Sequence, residues 1–234
     1  MGKINEQNKI QKLTKNLSFL RGNLLILTIS WMVWFPAIRL TEPYAQAYIE
    51  QLPGGSAFIV GVISSIATAT LAIVRIIGGY VADRFGRKNI IALMSFAISS
   101  SYFIYAFAPS WEWVLIAATL NSVCLLYQPA LLALRADSVP PEKRGFGFAL
   151  TEFLPGLVSI PGPIIATYLV LTNGTIGGMR IAYFAAFALG IVAAVVRLFL
   201  KETLPERKDK RGLSFQADFK TEYSDAIKFI FKNM

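Results

Sequence analysis

The chain has 234 residues, 55% of them hydrophobic and only 16% charged, with a formal net charge of +9, no histidine and a single cysteine. Soluble domains carry charge on about a quarter of their residues, so this composition excludes an ordinary soluble domain and places the chain in a bilayer. Cys124 alone cannot form an intramolecular disulfide, and without histidine the usual ligand sets of a transition-metal site are missing, so no cofactor and no metal are expected.

Residues 1–22 form a polar tail carrying Lys3, Lys9, Lys12, Lys15 and Arg21. It lacks the short apolar core and small-residue cleavage site of a signal peptide. Apolar runs approaching the roughly 20 residues that cross about 30 Å of hydrocarbon follow at Asn23–Leu40, Ala57–Ile77, Ile90–Ala108, Trp113–Leu134, Phe146–Leu171 and Ile181–Leu200. They predict six transmembrane helices over 23–200, followed by a hydrophilic segment over 201–234. Basic residues alternate between the connections. Arg84, Arg87 and Lys88 follow the second run, Arg135, Lys143 and Arg144 follow the fourth, and both ends are basic, whereas the other face holds only Arg39 and Arg180. Cytoplasmic loops retain Lys and Arg, so the pattern predicts a multi-pass plasma-membrane protein with both termini in the cytoplasm. The positive charge follows from topology and from anionic membrane lipids as partners, and no nucleic acid is needed to explain it. Nucleophile elbows, paired zinc-protease histidines and phosphate-cradling loops are absent, so no enzyme is expected.

Between the second and third runs stands Gly79-Tyr80-Val81-Ala82-Asp83-Arg84-Phe85-Gly86-Arg87-Lys88, which reads as a short cytoplasmic loop. Glycines at 78, 79 and 86 permit close helix approach and a tight reversal. Arg84, Arg87 and Lys88 surround Asp83 and relieve the cost of a carboxylate beside lipid. The spacing Gly-x-x-x-Asp-Arg-x-Gly-Arg-Lys resembles the signature of the major facilitator superfamily of secondary transporters. Arg135-Ala136-Asp137, Pro140-Pro141-Glu142-Lys143-Arg144-Gly145 and the Lys-Glu-Thr-Leu-Pro beginning at Lys201 are similar to segments of the same family.

The resemblance implies an all-α fold of six transmembrane helices arranged as a 3+3 inverted-repeat bundle, the amino-terminal half of a twelve-helix transporter. It implies movement of a small-molecule substrate by alternating access, coupled to an ion gradient with H+ as the expected ion. Asp225-Ala226-Ile227-Lys228-Phe229-Ile230-Phe231 reads like the approach to a seventh helix. A second six-helix half, or a homodimer, is therefore expected to complete the pathway. The rival reading is a truncated or half-size membrane protein that retains the fold without transporting.

Two groups of residues are candidates for function. Gly79, Asp83, Arg84, Gly86, Arg87, Lys88, Asp137, Arg144 and Glu202 would form a cytoplasmic gating cluster, whose charges latch one conformation and release another; the plain alternative is a set of solvated topology charges. Arg39, Glu42, Arg75, Asn121, Gln128 and Glu152 would line the substrate or ion pathway. Arg75 and Glu152 fall at bilayer depth, where an ionisable group is costly unless paired or facing water. Arg75 is also long enough to snorkel, and the two admit a mutual pair. Arg39 and Glu42 are three apart on a helix and within pairing distance, on roughly the same side as Trp31 and Trp34. By the resemblance, the first and fourth helices line the cavity, with Asn121, Tyr127 and Gln128 supplying hydrogen bonds. Packing, an aromatic belt and interhelical hydrogen bonds are the alternatives. Two departures from the family stand out. No basic residue lies between Trp113 and Leu134, and Gly162-Pro163 is followed by Ala166 and Thr167 instead of a glycine pair. The retained Gly162-Pro163 favours export over uptake.

Overall fold

The computed structural model describes residues 21–204. Most of the basic tail over 1–22, and the stretch over 225–231 that reads like the approach to a seventh helix, lie outside the described residues. Within them every regular element is helical: α1 (Asn23–Thr41), α2 (Ala45–Gln51), α3 (Ala57–Phe85), α4 (Arg87–Phe107), α5 (Trp111–Cys124), a 3-10 turn at Leu125–Tyr127, α6 (Gln128–Asp137), a second 3-10 turn at Pro141–Lys143, α7 (Arg144–Ser159) and α8 (Pro161–Arg197).

These elements make six crossings. α5, the first 3-10 turn and α6 run on as one. With 37 residues, a straight α8 would be about 55 Å long, nearly twice the hydrocarbon thickness. It doubles back instead at Gly174, whose φ of 73° and ψ of 167° leave the helical region. The reversal is tight, because a Cβ on Gly178 would lie 2.6 Å from the Leu169 carbonyl oxygen, whereas nine residues of straight helix would separate the two by about 13 Å. Residues 161–173 therefore complete the crossing begun by α7, and 175–197 form the sixth.

The connections are shorter than the sequence suggests. α3 continues through Gly79 and Asp83 to Phe85, so most of the expected charged loop is helix, and Gly86 with a φ of 88° is the turn. Gly78 rather than Gly79 is the close-approach residue: it packs against the backbone of Leu126, while a Cβ on Gly79 would meet nothing within 4 Å. The break beside Leu126 has a local cause. Pro129 has no N–H to offer the Leu125 carbonyl, and the Gln128 N–H bonds it instead, tightening the chain into a 3-10 turn.

Two layers of contacts close the bundle. The Asn23 amide donates to the Lys201 carbonyl at 2.8 Å and accepts from the Lys201 N–H at 2.7 Å. The first crossing thus starts where the last one ends, as an even number of crossings requires. Arg87, Asp137 and Glu202 share that layer. On the opposite face Tyr48 donates to the Tyr105 carbonyl at 2.8 Å, Arg180 to the Ala108 carbonyl at 3.0 Å, and Tyr44 and Thr167 share a 3.1 Å hydrogen bond. Arg87 belongs to the first of these layers and Arg180 to the second.

Small residues set the packing of α1 on α8 and of α4 on α8, since helices in lipid associate by close backbone approach. A Cβ on Gly162 would sit 2.8 Å from Arg39 Cβ, and one on Gly190 would sit 2.7 Å from the Trp34 ring and 3.0 Å from Ser99 Cβ. Gly190→Ala should therefore destabilise the bundle by about 1–3 kcal/mol, read as a lower unfolding midpoint in detergent. Gly156→Ala, where nothing lies within 4 Å, should be neutral or stabilising.

Candidate functional site

The polar chemistry of the bundle converges on the fourth crossing. Descending from the Ala108 face, Asn121 Nδ2 donates to Ser101 Oγ of α4 at 3.0 Å. Tyr127 accepts from Arg197 Nη1 of α8 at 3.2 Å. Gln128 Oε1 accepts from Arg75 Nε and Nη2 of α3 at 3.1 and 2.9 Å. Arg135 reaches Glu152 of α7 at 3.0 Å, and Asp137 meets Arg87 of α4 at 2.6 Å. Asn121, Tyr127 and Gln128 each hydrogen-bond to another helix. Arg75 and Glu152 do not pair with each other: each is claimed by a different residue of the fourth crossing.

Arg135 is the most constrained of these groups. Its side chain is 3% exposed while that of its partner Glu152 is 66% exposed. The guanidinium lies between two aromatic faces, 4.2 Å from the Phe148 ring centre and 4.9 Å from that of Trp31. Nη2 donates to the Phe148 carbonyl at 2.5 Å and to the Thr151 hydroxyl. A cation so enclosed needs its carboxylate, because desolvation costs several kcal/mol per ion. Sequence reading took Arg135 for a loop charge, yet it lies four residues after Leu131, on the buried face of α6, and that periodicity is the signal that marks it.

Arg197 was missed altogether. It is 3% exposed and donates to Ser30 Oγ at 3.2 Å, Ser95 Oγ at 2.7 Å and the Tyr127 hydroxyl. It follows Ala186, Gly190 and Ala193 on the buried stripe of α8, so its helical position marks it as an internal cation.

The expected gating cluster forms in part. Arg87 and Asp137 make its central contact. Glu202 Oε2 accepts from the Lys88 backbone N–H at 3.0 Å, placing a carboxylate at the positive end of α4, against the Gly86 turn. A Cβ at Gly86 would sit 3.0 Å from that same oxygen, so glycine serves both the reversal and the approach of Glu202. Arg84 reaches the Tyr80 hydroxyl at 3.5 Å, one turn back on its own helix. Arg144 begins α7, is exposed, and makes no ion pair among the described residues, so it stands outside the cluster. The Asp83 side chain is not among the described parts of the chain. At the opposite face Arg39 and Glu42 pair at 2.8 Å with both side chains exposed. Trp31 lies against Arg135, and Trp34 packs edge-on against Tyr102 with ring centres 5.3 Å apart, so both tryptophans belong to packing.

Six apolar crossings with internal ion pairs define a polytopic α-helical membrane protein. The chain belongs to the Major Facilitator Superfamily, whose profile matches residues 22–233. It is 29% identical over 194 residues to the multi-drug resistance efflux pump PmrA of Streptococcus pneumoniae, a stretch covering 79% of this chain and 47% of that protein. It is 30% identical over 186 residues to the multidrug resistance protein MdtG of Klebsiella pneumoniae, covering 74% and 43%. The Na(+), Li(+), K(+)/H(+) antiporter of Planococcus maritimus is 28% identical over 190 residues, covering 78% and 41%. The fold is similar to that of the human organic anion transporter MFSD10 (TETRAN), with a TM-score of 0.64 and 19% identity over 84% of this chain and 52% of that one. The chain spans about half the length of the curated relatives it matches.

The unequal burial of Arg135 and Glu152 predicts unequal effects of breaking their pair. Glu152→Ala strands a buried cation and should cost about 3–5 kcal/mol. Arg135→Met, which leaves an exposed carboxylate and keeps the stem volume, should cost far less. Thermal unfolding in detergent should rank the variants in that order, and the double variant should recover most of the loss.

Proposed function

We propose that this chain forms one half of an alternating-access transporter that exports a small solute across the plasma membrane in exchange for protons. Glu152 is the proton-carrying group, and the Arg87–Asp137 contact is the cytoplasmic latch. The observation that carries the reading is the ionic surface left uncovered at bilayer depth. Glu152 lies about 12 Å along α7 from Arg144, and Arg75 about 16 Å along α3 from Gly86. Both are exposed. An ionisable group facing hydrocarbon is costly, so this surface calls for water or a protein partner rather than lipid.

A second feature supports a partner half. Gly61, Ser65, Thr68, Ala72 and Arg75 recur at alternating intervals of four and three along α3, share one helix face, and are all exposed. Lipid chains gain little from small residues, whereas a neighbouring helix can approach closely over them. A second six-helix unit, encoded separately or supplied by another copy, would cover this stripe and leave an aqueous path beside Arg75 and Glu152. The relatives' names, which include multidrug efflux and cation/H+ antiport, agree with export against protons. Arg135 would hold the carboxylate when it is ionised and release it on protonation, so that solute and proton compete for one group. Asp137 and Arg87 join the end of the fourth crossing to the start of the third, where breaking one contact frees both crossings to move.

Vesicles loaded with the pH dye pyranine and carrying either the chain or a tandem fusion of two copies test this reading, with ethidium as the probe. Adding ethidium should drive proton movement through the wild-type protein, and Glu152→Gln should remove that movement while downhill ethidium flux persists. An ethidium flux that moves no protons, or proton coupling unchanged in Glu152→Gln, would overturn the assignment.

Orientation is tested separately. In a Cys124→Ala background, cysteines at positions 56 and 110 should react with an impermeant maleimide in intact cells, and one at 138 only after permeabilisation. The reverse pattern would put the basic face outside.

A further inference from the structure

The outer end of the seam between α4 and α8 carries a groove that the transport reading does not use. It has a volume of about 360 Å³ and is lined by Ala106, Phe107, Arg180, Ile181 and Phe184. Arg180 stands at its polar end, six residues after the Gly174 reversal, where its guanidinium is steadied by the Ala108 carbonyl at 3.0 Å. From there a wall of aromatic rings runs toward the membrane centre. Phe107 and Phe184 meet edge to face with centres 6.3 Å apart, Phe103 and Phe107 lie 4.7 Å apart, and Phe103 and Phe187 lie 5.3 Å apart. Phe103 is one helical turn, about 6 Å, deeper than Phe107. The wall faces outward: Phe107 is 61% exposed, and Phe103 and Phe184 are also open.

We propose that this groove binds one anionic phospholipid, with Arg180 holding the phosphodiester and the phenylalanine wall receiving an acyl chain. An apolar face toward lipid is ordinary by itself. Here the charge pattern selects the occupant. Arg39 and Arg180 are the basic residues of this face among the described residues, and Arg39 is already paired with Glu42. Arg180 has no carboxylate partner among them, and none lines the groove. A guanidinium offers planar paired donors suited to a phosphate. A headgroup bearing its own ammonium finds no carboxylate among the residues that line this mouth. The heights match as well, with the cation where headgroups lie and the rings where acyl chains begin. The proposal requires only that the protein sits in a bilayer, so it stands or falls apart from any transport activity.

The test is native mass spectrometry of the full chain released from nanodiscs of equimolar phosphatidylglycerol and phosphatidylethanolamine. One phosphatidylglycerol should be retained preferentially. Arg180→Gln should lower that retention about tenfold, the scale of one charge-assisted hydrogen bond, while Arg39→Gln leaves it unchanged. Phe184→Ala, which removes a half-exposed ring of the wall, should weaken retention with Arg180 still in place, which separates the acyl contribution from the headgroup contribution. Inorganic phosphate should fail to displace the lipid. Equal retention in Arg180→Gln, equal retention of phosphatidylethanolamine, or displacement by phosphate alone would each overturn the proposal.

Discussion

A charge inside a hydrocarbon layer must find a partner, a dipole or water, and this bundle is organised by how that requirement is met. The fourth crossing supplies the partners. Through Asn121, Tyr127, Gln128, Arg135 and Asp137 it touches α3, α4, α7 and α8. Two internal arginines show two solutions. Arg135 takes a carboxylate and two aromatic faces, whereas Arg197 takes neutral hydroxyls. Ser30 and Ser95 donate their own protons to backbone carbonyls of Leu27 and Ile91 at 2.9 and 2.6 Å, so their lone pairs face the guanidinium. Dipoles fixed in this way stabilise a cation without a proton acceptor that could titrate. Arg197 is therefore a structural tie.

The interruption at Pro129 gives the same crossing a mechanical character. A continuous helix would transmit a displacement along its full length, but the 3-10 turn at Leu125–Tyr127 divides this one into α5 and α6. α5 is tied to α4 through Asn121 and Ser101. α6 is tied to α7 through Arg135 and Glu152 and to the start of α4 through Asp137 and Arg87. The Arg75–Gln128 contact sits at the division, where Gly78 brings α3 against Leu126. Tilting α6 would thus strain the two ion pairs while leaving the Asn121–Ser101 hydrogen bond in place.

How much of this was legible in the sequence follows from how local each signal is. The six crossings and their alternating charge come from hydrophobic length and loop composition, and both survive in the structure. The connections were overestimated because glycines at 78 and 79 suggest a reversal when they lie inside α3, and because the gap between Leu171 and Ile181 is helical on both sides of Gly174, the single residue that leaves the helical region. Arg39–Glu42 was legible because its partners are three apart on one helix. The Arg75–Gln128 and Arg135–Glu152 contacts were not, since each joins positions 53 and 17 residues apart, and no periodicity fixes how one helix is rotated toward another. Arg197 was hidden for the opposite reason, a single charge diluted in a run of small and branched apolar residues. Its position on the Ala186, Gly190, Ala193 stripe was nevertheless readable by helical spacing.

Exposure carries different meanings on different sides of this bundle. Ile73, Ile76, Leu93 and Ile164 are exposed as lipid-facing side chains should be, and their exposure says nothing about function. The informative exposed groups are the ones hydrocarbon does not suit. Arg75 lies on the small-residue stripe of α3 and Glu152 on α7, and both are held by the fourth crossing, Arg75 through Gln128 and Glu152 through Arg135. The two helices thus share a central anchor, and each presents a polar group outward. Arg135 accounts for a carboxylate at Glu152, whereas Gln128 is neutral and imposes no charge on Arg75. These two residues therefore mark where polar groups interrupt the apolar surface of the bundle.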